Sequence, residues 1–505
     1  DQSFGPHFYI QVSVSTEAES QLDFDVTKHG YSFPNGTVGD PFLVGQSIYG
    51  IFGDSACWGK IGPGCLIRKD VWDWANRKAR DLLKVGQCFG MSSTSLRFYR
   101  DLEQPEAFQP LATKTHDLSN LNPLVRQHVT GYVVAQSVPF VANQLRISEV
   151  ARTIGVIEQG FSNGDPSILF FQIQDTASTR LNGLAGFAHA VVPLRVERLS
   201  DDAAAIYIYD PSFHDDSTRH IIAHPKTATA DYEWTPGVIV PLYLGAIPVS
   251  TVQFPLPLPT FSSTGRQVLS ADVTTVTDEI AISVSPGVEL RDMQGQTLQK
   301  VVLPGALSGP SPAIYFLPNA QKLDFVVDRT GVVGNAGSIE YLGQGGLTVV
   351  EGLATEPISD SVTLLTDSGD LVYSPGSTST LTLTLSATDS AKDALTEMQS
   401  IKLDANATLT ATMNTAQLAI AVSGNNPVTY GLDISLNSTS ALDQRFVHAN
   451  ISIAPGTTQL IGIPPQLGAS IPISTIVLET GEAATGNLAN ESIGDNNVFL
   501  PYVGR

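Results

Sequence analysis

Charge is scarce in this sequence: Asp, Glu, Lys and Arg make up 15% of its 505 residues, against roughly 25% in an average soluble domain. The charges that are present are mostly acidic, with 49 Asp and Glu against 28 Lys and Arg. Nucleic-acid phosphates are bound by clustered Lys and Arg, and the sequence has no such cluster, so we expect no nucleic-acid partner. No apolar run reaches the roughly 18 residues of a membrane-spanning helix, so we also expect no membrane span.

The sequence also lacks a starting methionine and an apolar leader, because it begins at Asp1. This start predicts a mature chain from which a signal peptide has been removed. Low charge and strands rich in Ser and Thr are typical of exported proteins. The predicted location is therefore extracellular or on a cell surface.

Cysteine is rare, with three residues in the whole chain. Cys57 and Cys65 are eight positions apart in a segment with Gly and Pro, which allows either a disulfide or two free thiols. Cys88 is left over, and an unpaired cysteine in an exported protein is a candidate reactive thiol.

The length of the chain predicts about three domains. The composition changes near residue 255, and residues 1–255 are typical of an α+β domain. Apolar residues recur every three to four positions across residues 70–80, which predicts a helix, and a second helix is expected to begin at Cys88. From about residue 186 the pattern predicts antiparallel strands instead. The proline-rich segment 252–261 is typical of an extended linker.

Beyond the linker, short strands punctuated by Gly, Pro, Asn and Ser predict an all-β region. We expect two Ig-like β-sandwiches, at 262–355 and 356–505. Residues 387–401 are interpreted as a short helix or an interstrand loop. The tail at 496–505 is interpreted as the last sandwich strand, with a sorting signal as the alternative.

Three residues in the first domain form a candidate catalytic constellation: Cys88, His189 and Asp210. Cys88 is expected at a helix N-terminus, where the helix dipole and free N–H groups favour a thiolate. His189 lies in the strand AHAVVPLRVERL and Asp210 follows the strand AAIYIY, so one hairpin brings them together. An imidazole can take the thiol proton, and a carboxylate can orient the imidazole.

The oxyanion site is less well defined by the sequence. The backbone N–H of Cys88 is one expected donor, and Gln87 is the candidate for the second, with an upstream Asn or Gln as the alternative. Taken singly, the residues of the constellation also fit structural roles. Cys88 then is a core residue, His189 a structural histidine and Asp210 part of an Asp-Pro turn.

A stretch rich in His and Asp follows Asp210. Its imidazoles and carboxylates are of the types that bind zinc or calcium, but their spacing matches no metal motif. We therefore expect a solvated loop and no metal or other cofactor. The residues of this stretch are His214, Asp215, Asp216, His220 and His224.

The segments GQCFGMSSTSLRFY, HAVVPLRVE and IYIYDPS resemble the papain-like superfamily in its broad sense, in which Cys, His and Asp follow in this order. The GQC run is also similar to transglutaminase cores. A closer resemblance is to a group of secreted bacterial papain-like proteins, which share segments similar to GYSFPNG, IFGDSAC and LPGA. The resemblance covers roughly residues 25–375. This chain has Pro211 and Ser212 where that group often has Asn-Asn.

The resemblance implies a papain-like fold for the first domain and a Cys57–Cys65 disulfide. It also implies that Cys88 is the nucleophile, His189 the general base and Asp210 its orienting partner. The predicted function is therefore a secreted or cell-surface thiol hydrolase that acts on a protein or peptide. The alternative is a structural or adhesive surface protein with an inactive or self-processing papain-like domain, which self-associates through its β-sandwiches.

Overall fold

The structure is a computed structural model of the chain. It describes residues 20–61, 64–258, 279–305, 311–318, 320, 322–329, 337–343, 346–353, 359–365, 369–405, 407–439, 444–468, 470–477, 483–489 and 502–503. Across these residues, no helix is both long enough and apolar enough to cross a membrane.

The α-helices of the described residues lie in the first half of the chain. They are α1 (Val26–His29), α2 (Gly45–Phe52), α3 (Lys69–Val85), α4 (Cys88–Tyr99), α5 (Pro123–Ala135), α6 (Pro139–Ala142), α7 (Val150–Asn163) and α8 (Ala177–Leu181). Short 3₁₀ helices cover Gly53–Ala56, Pro105–Ala107, Thr115–Asp117, Asn143–Leu145, Pro211–Phe213 and Val249–Thr251.

Helices α3 and α4 confirm the two helices predicted from apolar spacing. Helix α3 buries Val71, Trp74 and Ala79 on one face. Helix α4 is buried along nearly its whole length, because α5 and the sheet described next cover it on different sides. It is therefore the central element of the helical part of the chain, and its first residue is Cys88.

The same part of the chain also contains an antiparallel sheet, most of whose strands come after the helices. Its strands are β1 (Ser20–Gln21), β4 (Ser167–Ile173), β5 (Ala188–Ser200), β6 (Ala203–Tyr209), β7 (His220–His224), β8 (Thr229–Thr235) and β9 (Val238–Pro248), and the hairpin strands β2 (Cys57–Ile61) and β3 (Gly64–Ile67) lie apart from it. The order is β1-β5-β4-β9-β8-β7-β6, and β6 also pairs with β5. The sheet therefore closes on itself around an apolar interior that includes Leu169, Ile206 and Val240.

The rest of the described chain consists of strands. They are β10 (Glu279–Val284), β11 (Glu289–Arg291), β12 (Lys300–Val302), β13 (Ala313–Pro318), β14 (Lys322–Asp328), β15 (Gly337–Gly343), β16 (Gly346–Leu353), β17 (Ser359–Leu365), β18 (Asp370–Ser374), β19 (Ser379–Thr388), β20 (Lys392–Leu403), β21 (Thr408–Met413), β22 (Gln417–Ser423), β23 (Val428–Ser438), β24 (Gln444–Ile453), β25 (Thr457–Gly462), β26 (Ser470–Val477), β27 (Ala483–Ala489) and β28 (Tyr502–Val503).

Strands β10 to β27 form two nine-stranded antiparallel sheets. One has the order β12-β13-β10-β15-β16-β19-β20-β23-β24, and the other β11-β14-β17-β18-β21-β22-β25-β26-β27. Residues of both sheets share one apolar core, with Ile282 from the first and Phe325 from the second. The protein is thus mostly β, with a sandwich-like C-terminal part. Both sheets run without interruption past residue 355, where the sequence analysis placed a boundary, so the division into two units stays a prediction.

One local prediction in this region is wrong. Residues 387–401 were expected to form a short helix or a loop, but strand β20 occupies most of this range. It pairs with β19 on one side and β23 on the other. Alternate residues such as Ala394, Thr396 and Met398 are buried, because pairing on both sides imposes the two-residue period of a strand.

The helical part packs directly on the first nine-stranded sheet. Lys78 of α3 forms an ion pair with Glu340 of β15 at 2.7 Å, and Arg77 forms one with Glu351 of β16 at 2.5 Å. The backbone N–H of Lys69 donates to the Asp393 carboxylate at 2.8 Å. The two parts of the chain therefore share an interface that includes paired charges, and the apolar core of the helical part continues into the strands of this sheet.

The predicted linker and the predicted tail strand both lie against the helical part of the chain. In segment 252–258, Val252, Leu256 and Leu258 are buried, so this part is packed rather than extended across a gap. Residues 259–261 lie outside the described residues. Strand β28 of the tail pairs with β3 rather than with the sandwich sheets.

Candidate functional site

Cys88 lies where the chain turns sharply into the central helix. Gly86 has a φ of 132°, a backbone conformation that favours glycine. Helix α4 then begins at Cys88, whose side chain is completely buried. The first turn of a helix presents unpaired N–H groups and the positive end of the helix dipole. The thiol therefore lies in a setting that favours negative charge.

His189 and Asp210 are brought together by the hairpin of β5 and β6. Val192 lies opposite Tyr209 in the antiparallel register, so the start of β5 lies beside the end of β6. His189 Nε2 and Asp210 Oδ1 are 2.7 Å apart, and both side chains are completely buried. The structure thus pairs the two residues as the sequence analysis predicted.

Asp210 is held by two further donors. The Tyr232 hydroxyl donates to Asp210 Oδ2 at 2.7 Å, and the backbone N–H of Ser212 donates to Oδ1 at 2.8 Å. Burial raises the pKa of Asp210, but the charge of His189 and these hydrogen bonds outweigh it and hold the pKa below its usual value. The carboxylate is therefore a fixed negative charge in the interior.

The charge state of His189 follows from its neighbours. Burial by itself lowers the pKa of an imidazole. The charges of Asp210 and Cys88, together with the hydrogen bond to Asp210, outweigh this effect and raise the pKa of His189 to about 10. His189 is accordingly an imidazolium at neutral pH.

The two ring nitrogens of His189 have different environments. Nε2 is taken by Asp210, whereas Nδ1 is buried and has no hydrogen-bond partner among the described residues. The rings of Phe171 and Trp234 lie against the imidazole, with centroids 5.4 Å and 5.6 Å away. These rings shield the imidazole from water. Because Nε2 is bonded to Asp210, Nδ1 is the nitrogen available for proton exchange with the Cys88 thiol.

A segment from the β-region lies directly over the thiol. Cys88 Sγ donates to the carbonyl oxygen of Gly305 at 3.5 Å. The side-chain amide of Asn35 donates to the same oxygen at 3.4 Å. The Gly305 N–H donates to the carbonyl of Ala188 at 2.8 Å, next to His189. A backbone carbonyl therefore occupies the space in front of the thiol.

Gln87, the predicted oxyanion donor, is turned away from this carbonyl. Its Oε1 accepts from the Val38 N–H at 3.1 Å. Asn35 lies in the place expected for such a donor, and its Oδ1 accepts from the Gln87 N–H at 2.6 Å. The role of Gln87 as a donor stays a prediction, whereas the geometry favours Asn35, which matches the upstream amide considered from the sequence.

The remaining cysteines form the disulfide that the resemblance implied. Cys57 and Cys65 are joined by an S–S bond of 2.03 Å between β2 and β3. This pairing confirms the implied disulfide and leaves Cys88 as the free cysteine.

The stretch rich in His and Asp does not converge on one point. His214 approaches Asp215 at 3.3 Å, His220 Nδ1 contacts the Thr218 carbonyl, and His224 Nδ1 contacts the Asp202 carbonyl. Within the described ranges, no group of three or more His, Cys, Asp or Glu is arranged to hold a metal ion.

Three residues that contact the candidate site were not named as its members from the sequence: Asn35, Tyr232 and Gly305. The LPGA segment, which contains Gly305, was noted only as part of the family resemblance, without a role. Gly305 is more than 200 positions from Cys88 in the chain, so no local pattern could have placed it.

Comparisons of the chain with protein-family models, curated proteins and solved structures find no match.

Proposed function

We propose that the protein is a secreted thiol hydrolase of papain-like type, which breaks peptide or amide bonds through Cys88, His189 and Asp210. One observation carries the proposal: a free cysteine at a helix N-terminus lies close enough to an imidazole to raise its pKa, and a nitrogen of that imidazole is fixed by a buried carboxylate at 2.7 Å. This arrangement supplies a nucleophile, a base and an orienting group in one dry site.

The proposed reaction uses each of these groups once. In the reactive state the Cys88 proton has already passed to Nδ1 of His189, and the thiolate attacks the substrate carbonyl carbon. The negative charge on the carbonyl oxygen is stabilised by the Asn35 amide and the N-terminal end of α4. His189 returns the proton to the departing amine, which leaves a thioester on Cys88. Water then hydrolyses the thioester and regenerates the thiol. No step requires a metal or another cofactor.

Alkylation of Cys88 with iodoacetamide tests this proposal, because the other two cysteines are in a disulfide. An unassisted thiol with a pKa of 8.5 becomes roughly 80-fold more reactive between pH 6 and pH 8. A thiol that has passed its proton to His189 should change less than threefold, since the imidazolium persists across this range. Mass spectrometry of the intact chain measures the rate.

The variant His189→Gln should restore the steep dependence on pH. His220→Gln is the matched control, since His220 is exposed and its ring contacts the Thr218 carbonyl and Tyr207 rather than the candidate site. The Gly305 segment covers the thiol in the wild type and in both variants. Any slowing of alkylation that it causes is therefore the same in all three proteins and does not affect the comparison. Identical pH profiles for the wild type and His189→Gln would contradict the proposal.

The second candidate function is a structural or adhesive surface protein. It is favoured by strand β27, which ends one nine-stranded sheet and is largely exposed. A strand edge offers unpaired backbone groups to a second copy of the chain. An ordinary pH profile for Cys88 would favour this candidate, because the first domain would then have only a structural role.

A further inference from the structure

We propose that the protein cleaves its own chain after Gly305, with the carbonyl of Gly305 as the acyl group that Cys88 attacks. The inference rests on the proposed thiol chemistry and adds a substrate to it. The product is a protein of two chains, residues 1–305 and 306–505, held together by the folded structure.

The first support is the position of the Gly305 carbonyl. Its oxygen lies 3.5 Å from Cys88 Sγ. A carbonyl bond is about 1.23 Å long, so the carbonyl carbon is at most about 4.7 Å from the sulfur. Reacting atoms in near-attack geometry are about 3–3.5 Å apart, which a small movement of the segment achieves.

The second support is the set of contacts that a substrate would need. The Asn35 amide points at the Gly305 oxygen, at 3.4 Å, where it can stabilise the oxyanion. Asn35 is itself fixed, because its Oδ1 accepts from the Gln87 N–H and its backbone N–H donates to Pro211. The Gly305 N–H donates to the Ala188 carbonyl. Gly305 is thus held through both its N–H and its carbonyl oxygen.

The third support is the fit of the site to glycine. A Cβ on Gly305 would lie 2.6 Å from Val85 Cγ2 and 2.9 Å from the Val85 carbonyl oxygen. A Cβ on Gly86 would lie 1.8 Å from the Gly305 oxygen. The carbonyl reaches the thiol only because both positions lack a side chain. The site therefore selects glycine as the residue that donates the carbonyl, preceded here by the buried Leu303 and Pro304.

The chemistry balances with water as the only co-reactant. The sulfur of Cys88 bonds to the Gly305 carbonyl carbon, and the bond from that carbon to the nitrogen of residue 306 breaks. The amine leaves with the proton held by His189. Water then attacks the thioester, which gives a carboxylate at Gly305, a free thiol and a proton for His189.

The two products are expected to remain associated. Strand β12, before the break, pairs with β13 after it, and β10 also pairs with β13. Cleavage therefore has to be measured after denaturation, by intact mass and by the sequence of the new N-terminus. The wild-type chain should yield a fragment that begins at residue 306, and neutral hydroxylamine should add a hydroxamate to the C-terminus of the first fragment by trapping the thioester.

Two variants define the test. Cys88→Ala and Gly305→Ala should each abolish cleavage and leave one uncut chain. Gly155→Ala is the matched control, because a Cβ at this exposed helical position meets no atom within 4 Å, and it should be cleaved like the wild type. Cleavage at residue 305 in Cys88→Ala would overturn the proposal, since another agent would then be responsible.

The result also separates this inference from the proposed function. A wild-type chain that stays uncut, while Cys88 shows the flat alkylation profile, overturns self-cleavage and leaves the thiol hydrolase standing. An uncut chain with an ordinary thiol profile overturns both.

Discussion

Replacing Asp210 with Asn should change the charge state of His189 more than any other single substitution in the site. The side chain keeps its size and can still accept from Tyr232 or Ser212, so the shape of the site is preserved. What is lost is the negative charge 2.7 Å from His189 Nε2. Burial, which lowers the pKa of His189, is then opposed only by Cys88.

The magnitude follows from the pKa of about 10 in the wild type. Removing the proton of His189 at pH 7 costs about 4 kcal/mol, because each pH unit below the pKa is worth 1.36 kcal/mol. We expect the pKa to fall below 8 in Asp210→Asn. The raised pKa also stabilises the wild type: the contribution is complete below about pH 6.5 and is lost as the pH rises through 10.

Nuclear magnetic resonance of the chain labelled at the histidine Cε1 carbons measures this pKa directly. The chain has nine histidines, and the signal that disappears in His189→Gln identifies the right one. Asp216→Asn is the control, because Asp216 lies on the same loop but bonds to Thr218 and Arg219 rather than to His189. A His189 pKa that remains above 9 in Asp210→Asn would refute the role given to the carboxylate.

Two further predictions concern stability. Lys78→Met should lower the free energy of unfolding by about 3–5 kcal/mol, because it leaves the buried Glu340 carboxylate without its partner at 2.7 Å. Lys84→Met, which removes an exposed pair, should change it by less than about 0.5 kcal/mol, and equal effects in urea unfolding would contradict the argument. Replacing Cys57 and Cys65 by Ser should cost about 2.5 kcal/mol in the chain-entropy model, since the disulfide closes a short loop. An unchanged thermal midpoint would show that this loop is ordered without the bond.

The elements around the site could be predicted because their signals are local. Apolar spacing indicated α3, and alternation indicated β5 and β6. A hairpin also brings residues near its open end together whatever surrounds it, so His189 and Asp210 could be paired from the strand pattern alone. Local pattern gave the wrong prediction at β20, whose sequence is compatible with a helix. Its pairing with a strand on each side makes it a strand instead.

The closure of the first sheet and the continuity of the two large sheets could not be predicted. Both depend on which strands pair, and the sequence pattern of a strand does not identify a partner strand that is distant in the chain. Strand β16 pairs with β19 across the boundary expected at residue 355. Turn residues divided the sequence into short strands, but they do not say where one core ends and the next begins.

The sequence by itself determined the chemical groups of the candidate site and their order: a cysteine at a helix start, then a histidine and an aspartate on successive strands. These are properties of segments a few residues long. Only the tertiary structure decided what faces the thiol. Gly305 reaches Cys88 because two glycines remove the side chains that would keep the segments apart. Contacts of this kind depend on the packing of distant segments, which no local pattern records.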